Sequence, residues 1–272
     1  MNIVIFDTET TSIEKPFVYN IGYVIFDTDL MAVTHRADWV VEQIWHNREL
    51  FTTAYYADKR EGYVSAMRGK TVRMEKLGYI TQTMCRLFKE LDVQIAFAFN
   101  SPFDDGVFKF NCDWFKVKNP FDNIPIHDIR GFVHKYIAFT PQYQQFCEEN
   151  GYYTEKGNYS TTAETVYRFL THNTDFIEEH TALADSEIEC DILKYCVEKC
   201  GADWETEYKV YRSIPRKVDK VLKIKGADGE VTCFPYCSMI QYKEKNRETK
   251  IILKGMGDWP PTLPKRGETR WR

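Results

Sequence analysis

The sequence lacks any apolar run near the roughly 20 residues that a helix needs to cross a bilayer. Its most hydrophobic stretch, Ile95–Phe99, has the length of a strand. The opening residues, MNIVIFDTET, also lack the basic segment and extended apolar core of a secretory signal. We therefore expect neither a membrane span nor a signal peptide, and the sequence predicts a cytoplasmic protein.

Cysteine is also sparse. Eight cysteines in 272 residues are too few for a disulfide scaffold, and inside a cell they are expected to be reduced, mostly buried thiols. The pairs Cys196/Cys200 and Cys233/Cys237 leave a four-thiolate zinc site open. The first pair falls in a predicted helix and the spacing is not the usual C-x2-C, so buried thiols are favoured.

A net charge of −4 conceals an uneven distribution. Residues 209–272 contain 16 Lys and Arg against 7 Asp and Glu, whereas residues 1–208 contain 20 against 33. An acidic body is suited to concentrating divalent cations, and a basic tail is suited to a polyanionic partner. Solvated surface charge is the alternative explanation for the tail.

Hydrophobic patterning predicts a mixed α/β domain. Three strands in a meander are expected at Asn2–Phe6, Val18–Phe26 and Val33–Val41, and further strands at Val93–Phe99 and Ile124–His127. Helices are expected from Met74, then over 103–115, 129–137, 142–150, 161–170 and 181–200, with Ser160 as an N-cap and Gly151 and Gly201 as stops. Antiparallel strands followed by alternating strands and helices are typical of a mixed sheet flanked by helices.

The character of the sequence changes after residue 202. Residues 221–225 and 230–234 flank Gly226-Ala227-Asp228-Gly229, which is a hairpin signal, and residues 249–253 have the composition of another strand. We therefore divide the chain into a domain at 1–202 and a basic, β-rich extension at 203–272.

Several carboxylates occupy positions suited to a metal site. Asp7 and Glu9 leave the same face of a predicted strand end, and their hard oxygen atoms are ligands that Mg²⁺ or Mn²⁺ prefers. Asp104 lies in the first turn of a predicted helix, where capping is an equally simple role; Asp105 points about 100° away around the helix. Asp27-Thr28-Asp29 imitates the first pair but falls at an expected hairpin turn.

Asp185 is the most informative acid. It aligns with Ile188, Ile192 and Cys196 on the inward face of a predicted helix, where an unpaired charge costs several kcal/mol and needs a partner such as a metal ion. His180 begins this segment, and an imidazole of ordinary pKa about 6.5 can take a proton at neutral pH. The other five histidines are interpreted as structural or surface residues.

Three segments together resemble a known family. FDTET at Phe6–Thr10, NSPFD at Asn100–Asp104 and HTALAD at His180–Asp185 look like the three exonuclease motifs of the DEDDh (DnaQ-like) superfamily, in the same order. The resemblance covers roughly residues 1–200. Two departures are Phe99, where a histidine often stands, and the second acid Asp105; Thr181 replaces the tyrosine of the sister group.

The resemblance implies a ribonuclease H-like fold and a 3′ to 5′ exonuclease that releases nucleoside monophosphates from single-stranded DNA or RNA. It implies that Asp7, Glu9, Asp104 and Asp185 hold two divalent ions, Mg²⁺ or Mn²⁺, and that His180 is the general base. Substrate-binding residues are expected among the motif neighbours Thr8, Thr10, Thr11, Asn100 and Phe103, although turn residues would look alike at the threonines.

Two other functions stay open at this stage. One is a proofreading or accessory exonuclease subunit whose extension binds a polymerase or another protein. The other is a catalytically inactive relative that only binds nucleic acid, although all five matched residues are present. If the protein instead acts as an exonuclease without a partner subunit, aromatic residues of the basic extension would stack on bases. These residues are Phe234, Tyr236, Trp259 and Trp271.

Overall fold

A computed structural model describes residues 1–52, 54, 57–216, 222–225, 231–234, 239–245 and 248–254. The chain divides into two compact units, Met1–Ile214 and Pro215–Arg272. The predicted tail residues Tyr236, Trp259 and Trp271 lie outside the described residues, as do Cys237, the side chains of Cys233 and Phe234, and the turn at 226–229.

The first unit contains six strands and nine α-helices among the described residues. The strands are β1 (Asn2–Thr10), β2 (Val18–Asp27), β3 (Ala32–Val41), β4 (Arg73–Glu75), β5 (Val93–Ala98) and β6 (Ile126–Asp128). The helices are α1 (Glu42–Trp45), α2 (Arg48–Thr52), α3 (Arg60–Arg68), α4 (Leu77–Glu90), α5 (Ser101–Phe115), α6 (Ile129–Val133), α7 (Pro141–Asn150), α8 (Ala163–Thr171) and α9 (Ala182–Cys200). A 3₁₀ turn covers Ala57–Lys59 and a π-helical turn covers His134–Ala138.

The six strands form one sheet in the order β4-β3-β2-β1-β5-β6. β1, β2 and β3 are an antiparallel meander, whereas β1, β5 and β6 run parallel. Parallel strands need crossover connections, and here helices supply them and cover both faces. This arrangement confirms the predicted mixed α/β sheet, an antiparallel meander plus parallel strands flanked by helices.

Alternate residues of β1 enter two different hydrophobic clusters, because successive side chains of a strand point to opposite faces. Val4 and Phe6 pack with α4 and α5 on one face of the sheet. Ile3 and Ile5 pack with α9 and the helices before it on the other face. This alternation determines the direction of every polar side chain at the end of β1.

The helix predictions differ from the structure in three places. Met74 lies in β4, and helix α4 begins only at Leu77. The helix expected over 129–137 is an α-helix to Val133 followed by the π-helical turn. The N-cap of α8 is Thr162, whose hydroxyl accepts from the Thr165 amide, and not Ser160.

The division between units also differs from the predicted one, because residues after 202 pack on the first unit. Trp204 lies against Phe26 at 5.6 Å between ring centroids, and Tyr208 against Phe132 at 4.6 Å. The Ile214 carbonyl accepts a hydrogen bond from the Tyr159 amide. The described boundary therefore follows Ile214.

The second unit contains two antiparallel pairs of strands in its described part. β7 (Leu222–Lys225) pairs with β8 (Val231–Phe234), as the sequence predicts. β9 (Met239–Lys245) pairs with β10 (Glu248–Lys254), of which only the second strand was predicted. Across the described residues of the whole chain, no helix is both long enough and apolar enough to span a membrane.

Candidate active site

Asp7 and Glu9 lie at the carboxyl end of β1 and continue the row of Ile3 and Ile5. Their side chains therefore point to the face of the sheet that α9 covers. Glu9 is 9% exposed, and the Tyr19 hydroxyl donates to its Oε2 at 3.5 Å. The two acids thus share one face, as their spacing predicts.

Asp185 lies in the first turn of α9 and is 6% exposed. Its Oδ1 is buried and has no hydrogen-bond partner among the described residues. Glu189 follows one helical turn later on the same face, also buried, and its Oε2 accepts from the Phe99 amide at 3.2 Å. A buried carboxylate oxygen without a donor costs free energy unless a cation approaches it.

Asp104 reaches the site from the opposite face of the sheet. It lies in the first turn of α5, is 2% exposed, and accepts a hydrogen bond of 2.6 Å from the Thr8 hydroxyl. Its neighbour Asp105 instead pairs with Lys109 on the helix surface at 2.5 Å. The structure therefore separates the two adjacent acids as the helix geometry predicts.

His180 precedes α9 in a left-handed backbone conformation, with φ of +51°. Its Nδ1 lies 3.6 Å from Oε2 of Glu178. Burial, and then the charge of Lys59, lowers the pKa of His180 below its ordinary value. An imidazole that is neutral near pH 7 has a nitrogen lone pair that can accept a proton.

Two groups of side chains within the described residues have ligand atoms mutually within 4.8 Å. One consists of Asp7, Glu9 and Asp185, and the other of Glu178, His180 and Asp185. Asp185 belongs to both, so the two groups are adjacent. Asp104 belongs to neither group, although its charge interacts with that of Asp7.

The acids strongly disfavour their charged forms in the absence of cations. Burial, followed by the charge of Glu178, raises the pKa of Asp7 to about 7. Burial, followed by the charge of Asp7, raises the pKa of Glu9 to about 9 and that of Asp185 to about 10. Converging hard oxygen donors, together with the unpartnered oxygen of Asp185, fit a divalent cation.

Three charged residues of this site were not predicted. Glu189 is four residues after Asp185, and the helical period alone places it on the same inward face. Glu178 lies two residues before His180 in a stretch without regular structure. Lys59 comes from the 3₁₀ turn and donates to the Glu179 carbonyl, and no local sequence signal connects it with the site.

The five residues predicted to bind substrate occupy different environments. Thr8 and Thr11 are buried and donate their hydroxyls to Asp104 and the Lys15 carbonyl, respectively. Thr10 is partly exposed and donates to the Ser12 carbonyl. Phe103 is partly buried against the cluster around α4 and α5. Asn100 is exposed, and its Oδ1 accepts from Arg130.

Two other candidate segments, Asp27–Asp29 and the cysteines of the possible zinc site, have structural roles where the structure describes them. Asp27 accepts hydrogen bonds from the Asp29 and Leu30 amides, so this segment is the predicted turn. Cys196 is fully buried in the cluster around α9. Cys200 ends α9 and is partly buried, whereas Cys233 and Cys237 lie outside the described side chains.

The solved structures that are similar to this chain share little sequence with it. No protein-family profile and no curated protein sequence matches the chain. The nuclease domain of 3′hExo, a DEDDh family member bound to rAMP, is similar at 12% identity and a TM-score of 0.49, over 78% of this chain and 97% of that one. Escherichia coli Exonuclease I in complex with a dA16 oligonucleotide is similar at 15% identity and a TM-score of 0.41, over 72% of this chain but only 40% of its own length. Similarities of this extent assign neither an activity nor a substrate to the chain.

Proposed function

We propose that this protein is a metal-dependent 3′ to 5′ exonuclease that hydrolyses single-stranded DNA or RNA and releases nucleoside monophosphates. The observation that carries the proposal is the convergence of Asp7, Glu9 and Asp185 from two distant segments, with ligand atoms within 4.8 Å of one another. Asp104 joins them from a third segment through Thr8. These four acids and His180 are the residues that match the DEDDh motifs in type and order.

In this proposal, Asp7, Glu9, Asp104 and Asp185 hold two divalent cations, Mg²⁺ or Mn²⁺. Such ions supply Lewis acidity toward the attacking water and the leaving 3′ oxygen, and they neutralise a site whose acids otherwise repel one another. Thr8 orients Asp104 by its hydroxyl hydrogen bond. Tyr19 does the same for Glu9.

His180 is the proposed general base. Its left-handed backbone and its position directly before α9 place the imidazole beside Glu178 and Asp185. The lowered pKa keeps the ring neutral, so that it can take the proton of the attacking water. Glu178, 3.6 Å from Nδ1, is suited to orient the ring and to stabilise its protonated form.

The proposal is tested with 5′-labelled single-stranded DNA and RNA oligonucleotides, incubated with Mg²⁺, Mn²⁺ or a chelator. The wild type is expected to give a ladder of fragments shortened from the 3′ end with either ion, and none with the chelator. Comparing DNA with RNA identifies the preferred sugar, because discrimination depends on contact with the 2′-OH.

Asp104 and Asp105 provide a matched pair of variants for this assay. Asp104→Asn removes a buried acid of the site, whereas Asp105→Asn removes only a surface partner of Lys109. We expect Asp104→Asn and His180→Ala to lower activity at least about 100-fold and Asp105→Asn to act as the wild type. Absence of a ladder under every metal condition, or equal activity of the two Asp variants, contradicts the proposal.

We further propose that the basic extension contacts the nucleic acid strand. The 16 Lys and Arg against 7 Asp and Glu in residues 209–272 support this role over that of a binding site for a polymerase or other protein.

A further inference from the structure

Four acids of the candidate active site line a cavity that also contains three cationic side chains. The cavity has a volume of about 860 Å³, and Asp7, Glu178, Asp185 and Glu189 form its acidic part. Its basic residues are Arg130, Lys156 and Arg212. A single strand of nucleic acid needs both chemistries, since divalent ions must meet one linkage while Lys or Arg neutralise others.

Hydrogen bonds fix both the side chain and the backbone of Arg130. Its Nη1 donates to Oδ1 of Asn100 at 2.8 Å. Asp128 ties the two residues together, because its Oδ1 accepts from the Asn100 amide at 3.0 Å and from the Arg130 amide at 2.8 Å. A guanidinium has five N–H donors, so a bond to a neutral amide leaves further donors and the positive charge for a ligand.

The sheet topology sets the separation of Arg130 from the acids. β1, β5 and β6 are adjacent and parallel, and their register places Asp7, within the last residues of β1, nearly level with Asn100 and Arg130, which follow the ends of β5 and β6. The backbone of Arg130 lies two strands from that of Asp7, which corresponds to about 10 Å. The guanidinium reaches back to Asn100, at the end of the intervening strand β5. It therefore lies in the same cavity as Asp7, beside the acids, where a neighbouring phosphate of the same strand can meet it.

We propose that Arg130 binds a backbone phosphate on the 5′ side of the scissile linkage, and that Asn100 is a positioning residue acting through Arg130. The assignment rests on the proposed function. The planar fork of a guanidinium matches two phosphate oxygens, which favours a phosphate over a base as its ligand. Thr154, Asn158 and Thr161 line the same cavity and offer neutral donors to the sugar-phosphate chain.

Substrates with defined linkages test the assignment. A dinucleotide with a single phosphodiester has no upstream phosphate, whereas longer oligonucleotides do. Arg130→Gln should lower kcat/KM on the longer substrates roughly 10- to 100-fold, mainly through KM, and leave the rate on the dinucleotide unchanged. Arg86→Gln, at an exposed arginine of α4 that pairs with Glu90 at 3.9 Å, is the control and should act as the wild type on both.

Neutral methylphosphonates, placed in turn at each of the three linkages upstream of the scissile one, locate the contact. At one position the neutral linkage should cost the wild type the same roughly 10- to 100-fold, and Arg130→Gln should lose nothing more there. Arg130→Lys keeps the charge without the planar fork of a guanidinium. Its kcat/KM on the longer substrates should lie between those of the wild type and Arg130→Gln. Asn100→Ala should raise KM in the wild-type background and have no further effect in Arg130→Gln.

Three results overturn this inference alone: an equal loss on the dinucleotide, an Arg130→Gln variant that acts as the wild type, or a full Asn100→Ala effect in the absence of the Arg130 side chain. A wild type that shortens none of these oligonucleotides overturns the proposed function, and this inference with it.

Discussion

Asn20 is a fully buried amide that joins three segments around the candidate site. Its Nδ2 donates to Oδ1 of Asp38 at 2.5 Å and to the Trp39 carbonyl at 3.0 Å. Its Oδ1 accepts from the Tyr63 hydroxyl and the Ala182 amide, each at 2.8 Å. The last bond fixes the first residue of α9, directly between His180 and Asp185.

Asn20→Ala should therefore destabilise the fold by about 3 kcal/mol, because it leaves several buried polar groups without partners. Asn173→Ala is the control, since the side chain of this exposed asparagine accepts from the Asp175 amide and its loss should cost under about 1 kcal/mol. Urea unfolding of both variants measures the difference. Equal destabilisation would show that the Asn20 bonds contribute little.

At the residue scale, the acids of the site could be predicted where the spacing determines a shared face. Asp7 and Glu9 follow the period of a strand, and Asp185 follows the period of a helix. Glu189 follows the same helical period, but it was not predicted because it belongs to none of the three sequence motifs. Glu178, Lys59 and Asn20 come to the site through tertiary packing, which no local periodicity encodes.

At the scale of elements, helix α9 lies directly on strand β2. Gly22 is paired with Asp7 across the two strands, and a Cβ at Gly22 would overlap the backbone of Ala182 and Leu183. Only glycine permits this close approach, which brings the start of α9, and with it Asp185, to the acids of β1.

We expect Gly22→Ala to displace α9, to lower stability by about 3 kcal/mol and to reduce metal-dependent hydrolysis. Gly106→Ala is the matched control, because a Cβ there meets nothing within 4 Å and alanine is favoured by about 0.5–1 kcal/mol in a helix. Thermal unfolding and the oligonucleotide assay report both effects. A Gly22→Ala protein with wild-type stability and activity would refute the close-packing explanation.

The turn after α6 holds the segment that follows Ala202. His134 is 1% exposed, and its Nδ1 accepts a hydrogen bond of 2.9 Å from the Tyr211 amide. Burial, and then the charge of Arg130, lowers the pKa of His134 to about 4. The folded protein therefore holds the ring neutral, as acceptance by Nδ1 requires.

Because this pKa is lowered on folding, the contribution of His134 to stability is present above pH 6.5 and is lost as the pH falls through about 4. The loss should reach about 2–3 kcal/mol. His134→Asn, which keeps an acceptor without a titrating ring, should reduce the decline in unfolding free energy between pH 6.5 and 4. His35→Asn, at an exposed ring, should not. Parallel pH profiles for wild type and His134→Asn would contradict the assignment.

Most elements could be predicted because their periodicity is strong. The meander, β5, α5 and α9 were predicted within a few residues, since long apolar patterns determine them. The three-residue strand β4 and the π-helical turn depend on packing against β3 and α7, respectively, so no local pattern identifies them. β9 is rich in Lys and Glu and gave no strand signal.

At the scale of the whole molecule, the position of the unit boundary makes a prediction for truncation. A chain ending at residue 216 keeps Trp204, Tyr208 and Ile214 on the first unit, whereas one ending at 202 loses them. The shorter chain should be less stable by about 3 kcal/mol or more, through the loss of buried aromatic contacts. Chemical unfolding of both truncated chains measures this difference.

The chain ending at 216 should still hydrolyse a dinucleotide, but it should bind oligonucleotides more weakly and with a smaller salt dependence than the full chain. Fluorescence anisotropy over a range of salt concentrations measures that slope. An unchanged affinity and salt dependence would favour a protein partner for the extension. Equal stability of the two truncated chains would support the domain boundary at residue 202 that the sequence predicts.

The central claim is that acids from three separate segments form one metal centre. Anomalous scattering from crystals of the full chain soaked in Mn²⁺ tests it most directly, with Asp185→Asn as the comparison. We predict two manganese peaks among Asp7, Glu9, Asp104 and Asp185 in the wild type, and loss of at least one in the variant. Absence of manganese from these acids, or an ion held by Glu178 and His180 instead, would contradict the account.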